Sequence, residues 1–189
     1  MVGKSRYLVR MALTATVYTF EVQLSDVDRG VYETFSVKVA QQPSETDEFM
    51  IARVLAYCLE YREGIAFSKG LAEPDEPAVS VRDLTGTMQA WVDIGAPSAA
   101  RLHKAAKLAP RVVVYTHKDA GRLAEQLRGE RIHRAEHIEV VALDRALIAS
   151  LVEHLDRRMK LDVSVTEGHM YVSIGEETFD ASLERLKIA

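Results

Sequence analysis

The chain has a single cysteine, Cys58, so no disulfide within the chain is possible, and nothing points to an oxidising compartment. No apolar run approaches the ~18 residues that a membrane helix needs. The start of the chain lacks the apolar core and small-residue cleavage site of a signal peptide. The cytoplasm is the expected compartment, with no membrane partner. A glycine-rich phosphate loop is also missing, and Gly168 and Gly175 read as turn residues. There is no basic excess either: the net charge of −4 argues against a protein that coats nucleic acid without specificity.

What is present is an ordinary globular balance, 48% hydrophobic and 28% charged over 189 residues, enough for one core without staples. The charge is uneven. Residues 44–79 carry eight acids and three bases, whereas 101–134 carry nine Lys/Arg and three acids, so one surface can be basic while the chain stays acidic. Residues 11–189 read as a single domain. Residues 1–10 fit poorly with the cleaner pattern that begins at Met11 and read as an upstream start or a flexible tail.

Alternation of apolar and polar residues predicts a hairpin of strands 13–24 and 31–41 around the turn-rich SDVDRG. Pro43-Ser44 opens a helix, with Ser44 as N-cap, Asp47 at the third helical position, and Glu45 and Glu48 complementing the dipole. Helical spacing of Ile51, Val54, Leu55, Cys58 and Leu59 carries that helix to Gly64. Strands come next at 65–68, 78–82 and 87–95, then a helix over 98–108 and the nearly continuous apolar strand 111–116, a pattern of burial on both faces. A helix at 119–128, a strand at 138–143, a helix at 144–158 and short strands near 161–166, 169–174 and 177–182 complete the chain. Hairpins mixed with βα units give a mixed α/β (α+β) class.

Three acids stand where surface charge alone would not put them. Glu48 shares a helical face with Ile51 and Leu55; it reads either as a first-turn acid favoured by the dipole or as an inward carboxylate needing a cation. Asp75 lies in Pro74-Asp75-Glu76-Pro77, where two prolines stiffen the segment; it is a solvated turn acid or a held ligand. Asp93 ends a strand in which Gln89, Trp91 and Asp93 alternate with Met88, Ala90, Val92 and Ile94; it is a turn-former before Gly95 or a ligand. A helix acid, a Pro-Asp and a strand-end Asp make a donor set for a hard cation. Mg²⁺ takes a few carboxylate oxygens plus water and phosphate, and lowers the pKa of bound water. Lys104 and Arg101 lie one turn apart on the next helix, available to assist or simply solvated.

Those segments carry a resemblance. PSETDE at 43–48, GLAEPDEP at 70–77, WVDIGAP at 91–97, RLHKA at 101–105 and VYT at 114–116 resemble, in order and spacing, the YaeQ family of bacterial proteins, over nearly the whole chain from Met11. The resemblance implies a variant of the PD-(D/E)xK nuclease fold: a restriction-endonuclease-like core, here with additional β-strands at both ends. It further implies Mg²⁺ (or Mn²⁺) on Glu48, Asp75 and Asp93, with Asp75, Asp93 and Lys104 as the catalytic set. Ser44, Glu45, Glu76, Gln89 and Arg101 neighbour those positions and join the candidate site. The motif lysine expected two residues after Asp93 is Gly95, and Lys104 is its candidate replacement.

The residues support two function classes. One is a metal-dependent nuclease that holds the phosphate backbone with basic residues of 101–134. The other is a non-catalytic module that keeps the fold and binds nucleic acid or protein. His133-x-x-Glu136-His137 matches an inverted zinc-protease signature, but the segment has no room for the helix that chemistry needs. Cys58 reads as packing, and Trp91 as core, pocket wall or a base-stacking platform.

Overall fold

The computed structural model describes residues 14–68 and 75–189. The expectation for residues 1–10, and most of the GLAEPDEP loop, lie outside the described residues.

Chain order is β1 (Thr16–Asp26), β2 (Val31–Gln41), α1 (Asp47–Leu59), β3 (Ile65–Phe67), β4 (Val79–Arg82), β5 (Met88–Ile94), α2 (Ala99–Leu108), β6 (Arg111–Thr116), α3 (Ala120–Leu127), β7 (Ile138–Ala142), α4 (Arg145–Glu153), β8 (Arg158–Thr166), β9 (His169–Ile174), β10 (Glu177–Ser182) and β11 (Glu184–Lys187). The class is mixed α/β, as the pattern of hairpins and βα units leads one to expect. The strands make two sheets, ordered β10-β9-β8-β1-β2 and β11-β7-β6-β5-β4-β3. The second has a parallel centre, β5-β6-β7, flanked by antiparallel β4 and β11.

The strands at the two ends of the chain join one another. The β1–β2 hairpin forms in full register from Thr16–Gln41 to Asp26–Val31, and β1 then pairs in parallel with β8. Asp28, in the β1–β2 turn, accepts hydrogen bonds from the backbone N–H of Glu167 (2.7 Å) and Gly168 (2.8 Å) in the β8–β9 turn. No local pattern encodes that pairing.

Helices α1 and α4 share one core with the inward residues of both sheets: Phe20, Val22, Leu161 and Val163 on one side, Val92, Ile94, Val113 and Val141 on the other. That sandwich explains why residues 50–59 of α1 are buried all round, Arg53 included. Helices α2 and α3 cover the opposite face of the central sheet, against Trp91, Val112, Val114 and Val140. The layers therefore run α2/α3, central sheet, α1/α4, second sheet. Within β5, period-2 alternation sends Val92 and Ile94 toward α1 and Trp91 toward α2.

Several boundaries differ from the sequence reading. The α1 cap is Thr46, whose hydroxyl accepts from the Phe49 N–H at 3.2 Å, and Ser44 is exposed ahead of it. The helix ends at Leu59, and Gly64 instead makes a tight turn (φ +81°) in which a Cβ would lie 1.8 Å from the Arg82 carbonyl oxygen. Helix α4 stops at Glu153 rather than 158, because Met159, Leu161, Val163 and Val165 alternate inward and claim Arg158–Thr166 for a strand. Strand β11 has no counterpart in the sequence reading; four residues are too few to show a period.

Candidate functional site

Asp93 is 3% exposed. Strand parity puts it on the face that carries Trp91, under the start of α2. Ser98 caps α2, accepting the Arg101 N–H at 3.2 Å. That cap sets Arg101 in the first turn, directly over β5. Its guanidinium clasps Asp93 through Nε–Oδ2 and Nη2–Oδ1, both 2.8 Å, and Nη2 also donates to the Glu76 carbonyl at 2.7 Å. It lies 5.4 Å from the centroid of the Trp91 ring. One helical turn on, Lys104 donates from Nζ to Asp75 Oδ1 at 2.8 Å. This hydrogen bond, with the Lys104 charge, holds the Asp75 carboxyl below the usual carboxylate range.

Residues 75, 76, 93, 101 and 104 thus form one cluster: two acids, two cations and a backbone carbonyl. Asp75 and Lys104 are open to solvent, while Asp93 is enclosed. The other expected members stand elsewhere. Glu48 is exposed, which fits the first-turn acid of the two alternatives and not the inward carboxylate. It lies in the first turn of α1, which is ahead of the helix's buried stretch and on the far face of the sheet from α2. Its charge is felt at His117, whose pKa is nonetheless lowered, first by burial and then by Lys118. Glu45 precedes the Thr46 cap and is not in the first turn of α1. It is buried and takes a bidentate grip from Arg53 (2.6 and 2.8 Å), while its Oε2 accepts the Gln42 N–H at 3.1 Å. Gln89 donates to Asp83 Oδ2 at 2.8 Å, in the β4–β5 turn. The Glu76 side chain is exposed, and only its carbonyl joins the cluster. Trp91 is 1% exposed, which removes it as a stacking platform.

Gly95 explains the missing motif lysine. Its φ is +89°, with its N–H donating to the Tyr115 carbonyl at 2.8 Å. A Cβ there would meet only an ordinary contact, Phe49 Cε2 at 3.6 Å. Backbone conformation, not space, therefore selects glycine over lysine.

The donors in place differ from the expected metal shell. Both Asp93 oxygens are held by Arg101 and one Asp75 oxygen by Lys104. Among the described residues no three His, Cys, Asp or Glu side chains group to hold a metal ion. As arranged, this donor set does not fit Mg²⁺, which needs one or two carboxylates with oxygens free to join its octahedron of waters, because Arg101 occupies both oxygens of the buried Asp93. The His133-x-x-Glu136-His137 segment holds only a short 3-10 turn, Ala135–His137.

Sequence reasoning missed a second charged centre. Glu60 caps the end of α1 and is 1% exposed. It accepts from Arg111 Nε (2.9 Å) and Nη2 (2.7 Å), from Tyr115 Oη (2.8 Å) and from Arg62 Nη2 (3.1 Å). Burial alone would raise its pKa, but the Arg111 hydrogen bonds, with Tyr115 and Arg62, outweigh it and hold the carboxyl low. The signal was available in Arg111, a cation opening a strand that is otherwise buried throughout. Cys58 is packing, as expected: burial pushes its thiol up to about 12.

The carboxyl ends of β5 and β6 open into a cleft of about 300 Å³ lined by Ala96, Thr116, Lys118, Asp119 and Arg122, with no residue of the cluster among its lining. Ligands of open α/β sheets bind at this end. Of the nine bases in 101–134, Arg101 and Arg111 clasp buried acids, while Lys104, Lys107, Lys118, Arg122, Arg128, Arg131 and Arg134 are exposed. No described helix is long and apolar enough to cross a membrane.

The YaeQ protein family model matches residues 11–183. The YaeQ protein of Escherichia coli K12 is 29% identical over 174 residues, covering 92% of this chain and 96% of its own length. The crystal structure of YaeQ protein from Pseudomonas syringae superposes with a TM-score of 0.81 at 30% identity, over 92% of this chain and 96% of that one. That of Xanthomonas axonopodis pv. citri gives 0.79 at 30% identity, over 92% and 99%. With a family match over most of its length and solved relatives of the same architecture, the chain belongs to the YaeQ family.

Proposed function

We propose that this chain binds a nucleic-acid phosphodiester backbone at the Asp75–Lys104–Arg101–Asp93 cluster. The observation that carries the reading is the pair of contacts made by successive turns of the basic helix α2, Arg101 to Asp93 and Lys104 to Asp75, which draws on three separate segments of the chain. Lys104 is the cation best suited to meet a phosphate. It is half exposed, and its partner Asp75 is open to water, so exchanging that carboxylate for a phosphate oxygen leaves no buried charge stranded. Exposed Lys107, Lys118 and Arg122 extend the same sign of charge along the outer layer. Net charge −4 makes this a local patch rather than a general affinity for polyanions.

A second reading is metal-dependent cleavage of that backbone, the activity that a nuclease-like scaffold implies. It is favoured by the assembly of Asp75, Asp93 and Lys104, the three residues expected to carry it. The clasp of Arg101 on Asp93 favours binding without chemistry. Labelled single-stranded and duplex DNA and RNA, mixed with the protein in Mg²⁺ or Mn²⁺ and in chelator, separate the two. Retention of at least one of these without product formation supports the binding reading. Product that depends on metal and disappears in Asp93→Ala supports cleavage. No retention of any of them removes the nucleic-acid reading altogether.

A further inference from the structure

We propose that the Arg101 guanidinium is the resident cation of this site, taking on Asp93 the place that the nuclease resemblance gives to a divalent metal; the inference rests on the cluster being the functional site. Among the described residues, Arg101 gathers three oxygens about one positive centre, Asp93 Oδ1, Asp93 Oδ2 and the Glu76 carbonyl, at 2.7 to 2.8 Å. Carboxylate and carbonyl oxygens are the ligands a hard cation would take. A buried carboxylate needs one compensating charge, and the planar fork of arginine supplies it to both oxygens at once.

The guanidinium is held in place from two further directions. Its backbone is fixed by the Ser98 cap, so it cannot slide along α2. The Trp91 ring lies beneath it at 5.4 Å, adding cation–π attraction. A metal arriving at Asp93 would meet a fixed positive charge already seated on that buried carboxylate. Lys104, by contrast, grips an exposed acid and is the replaceable cation of the pair. The site therefore works without a metal, and removing Arg101 uncovers a metal ligand.

The test is calorimetric titration of Mn²⁺, at pH 8 and without nucleic acid, into the full chain and three variants. Arg101→Met frees both Asp93 oxygens and is expected to bind Mn²⁺ roughly tenfold or more tightly than the unmodified chain. Asp93→Asn combined with Arg101→Met returns binding to the unmodified level. Arg101→Met binding no more tightly while still folded, judged by a cooperative melt, overturns the proposal. So does an unmodified chain that binds as tightly as Arg101→Met. Should Arg101→Met not fold, Arg101→Lys decides. It keeps a cation but grips one oxygen at a time, and affinity above the unmodified chain supports the proposal whereas equal affinity overturns it. No nucleic acid enters the titration, so its failure leaves backbone binding standing, and failure to bind oligonucleotide leaves the Mn²⁺ result standing.

Discussion

Glu60 and Asp93 are both buried acids gripped by a bidentate arginine, at opposite ends of the parallel strands β5 and β6. Around Glu60 the coordination is closed. Two guanidinium N–H groups, a buried phenol and a second arginine use up its oxygens, and the acid joins α1 to β6. Around Asp93 the arrangement opens outward. Arg101 reaches from Asp93 to the Glu76 carbonyl, and beside it Lys104 reaches to Asp75 in solvent. The same chemical pair therefore serves two purposes. Where every donor and acceptor is matched inside the protein, charge rigidifies the packing. Where the chain of ion pairs ends in water, the last pair, Lys104 with Asp75, stays exposed.

The largest effect that would sharpen this contrast is on stability. Glu60→Ala leaves Arg111 and the buried Tyr115 hydroxyl without their acceptor, and is expected to cost about 3 kcal/mol in urea unfolding, allowing for the partial exposure of Arg111. Asp93→Ala leaves Arg101, 29% exposed at its side chain, able to rehydrate, so its cost is expected to be smaller, about 1–2 kcal/mol. Equal costs would break the comparison.

The next effect is in acid. The folded-state pKa of Glu60 lies below its ordinary 4.5. A depressed carboxyl contributes stability that is fully present above the unfolded value and is lost as pH falls through the folded one. Glu60→Gln is therefore expected to be less stable near neutrality and to show a flatter decline of stability below pH 4.5 than the unmodified chain, read by urea midpoints across pH. A parallel decline in both proteins would contradict the assignment of the shift to Glu60.

The smallest stability effect belongs to Lys104. Its pair with Asp75 is exposed on both sides, and pairs of this kind contribute little. Lys104→Ala is expected to keep the melting temperature of the unmodified chain while losing affinity for oligonucleotide. A clear fall in melting temperature would make Lys104 a structural residue and remove its role as the exchangeable cation.

Much of the fold was legible in the residues. Period-2 alternation announced β1 and β2, and the nearly unbroken apolar run Val112–Tyr115 announced a strand buried on both faces. The pairing of β1 with β8 was not, because it depends on two segments more than a hundred residues apart. At the candidate site, Asp75, Asp93 and Lys104 were singled out from their spacing and from the family resemblance; Lys104 bonds Asp75, while Asp93 bonds Arg101 one turn earlier on α2. For Glu48 the first-turn alternative holds and the inward one does not, because sharing a helical face with Ile51 and Leu55 says nothing of whether the first turn reaches the core. Glu45 was taken for a dipole acid, but Arg53 lies on a helix packed between two sheets and needs a buried counter-charge. Such pairings depend on which layers enclose a helix, and no local window carries that.

The central claim, that the open cluster holds a phosphate backbone through Lys104, is tested most directly by fluorescence anisotropy of a labelled oligonucleotide across a salt series, for the unmodified chain and Lys104→Ala. The account predicts binding that weakens with salt, weaker binding by Lys104→Ala, and a log–log salt slope shallower by about one. Identical affinity and slope for the two proteins, or no binding by the unmodified chain even at low salt, would contradict it.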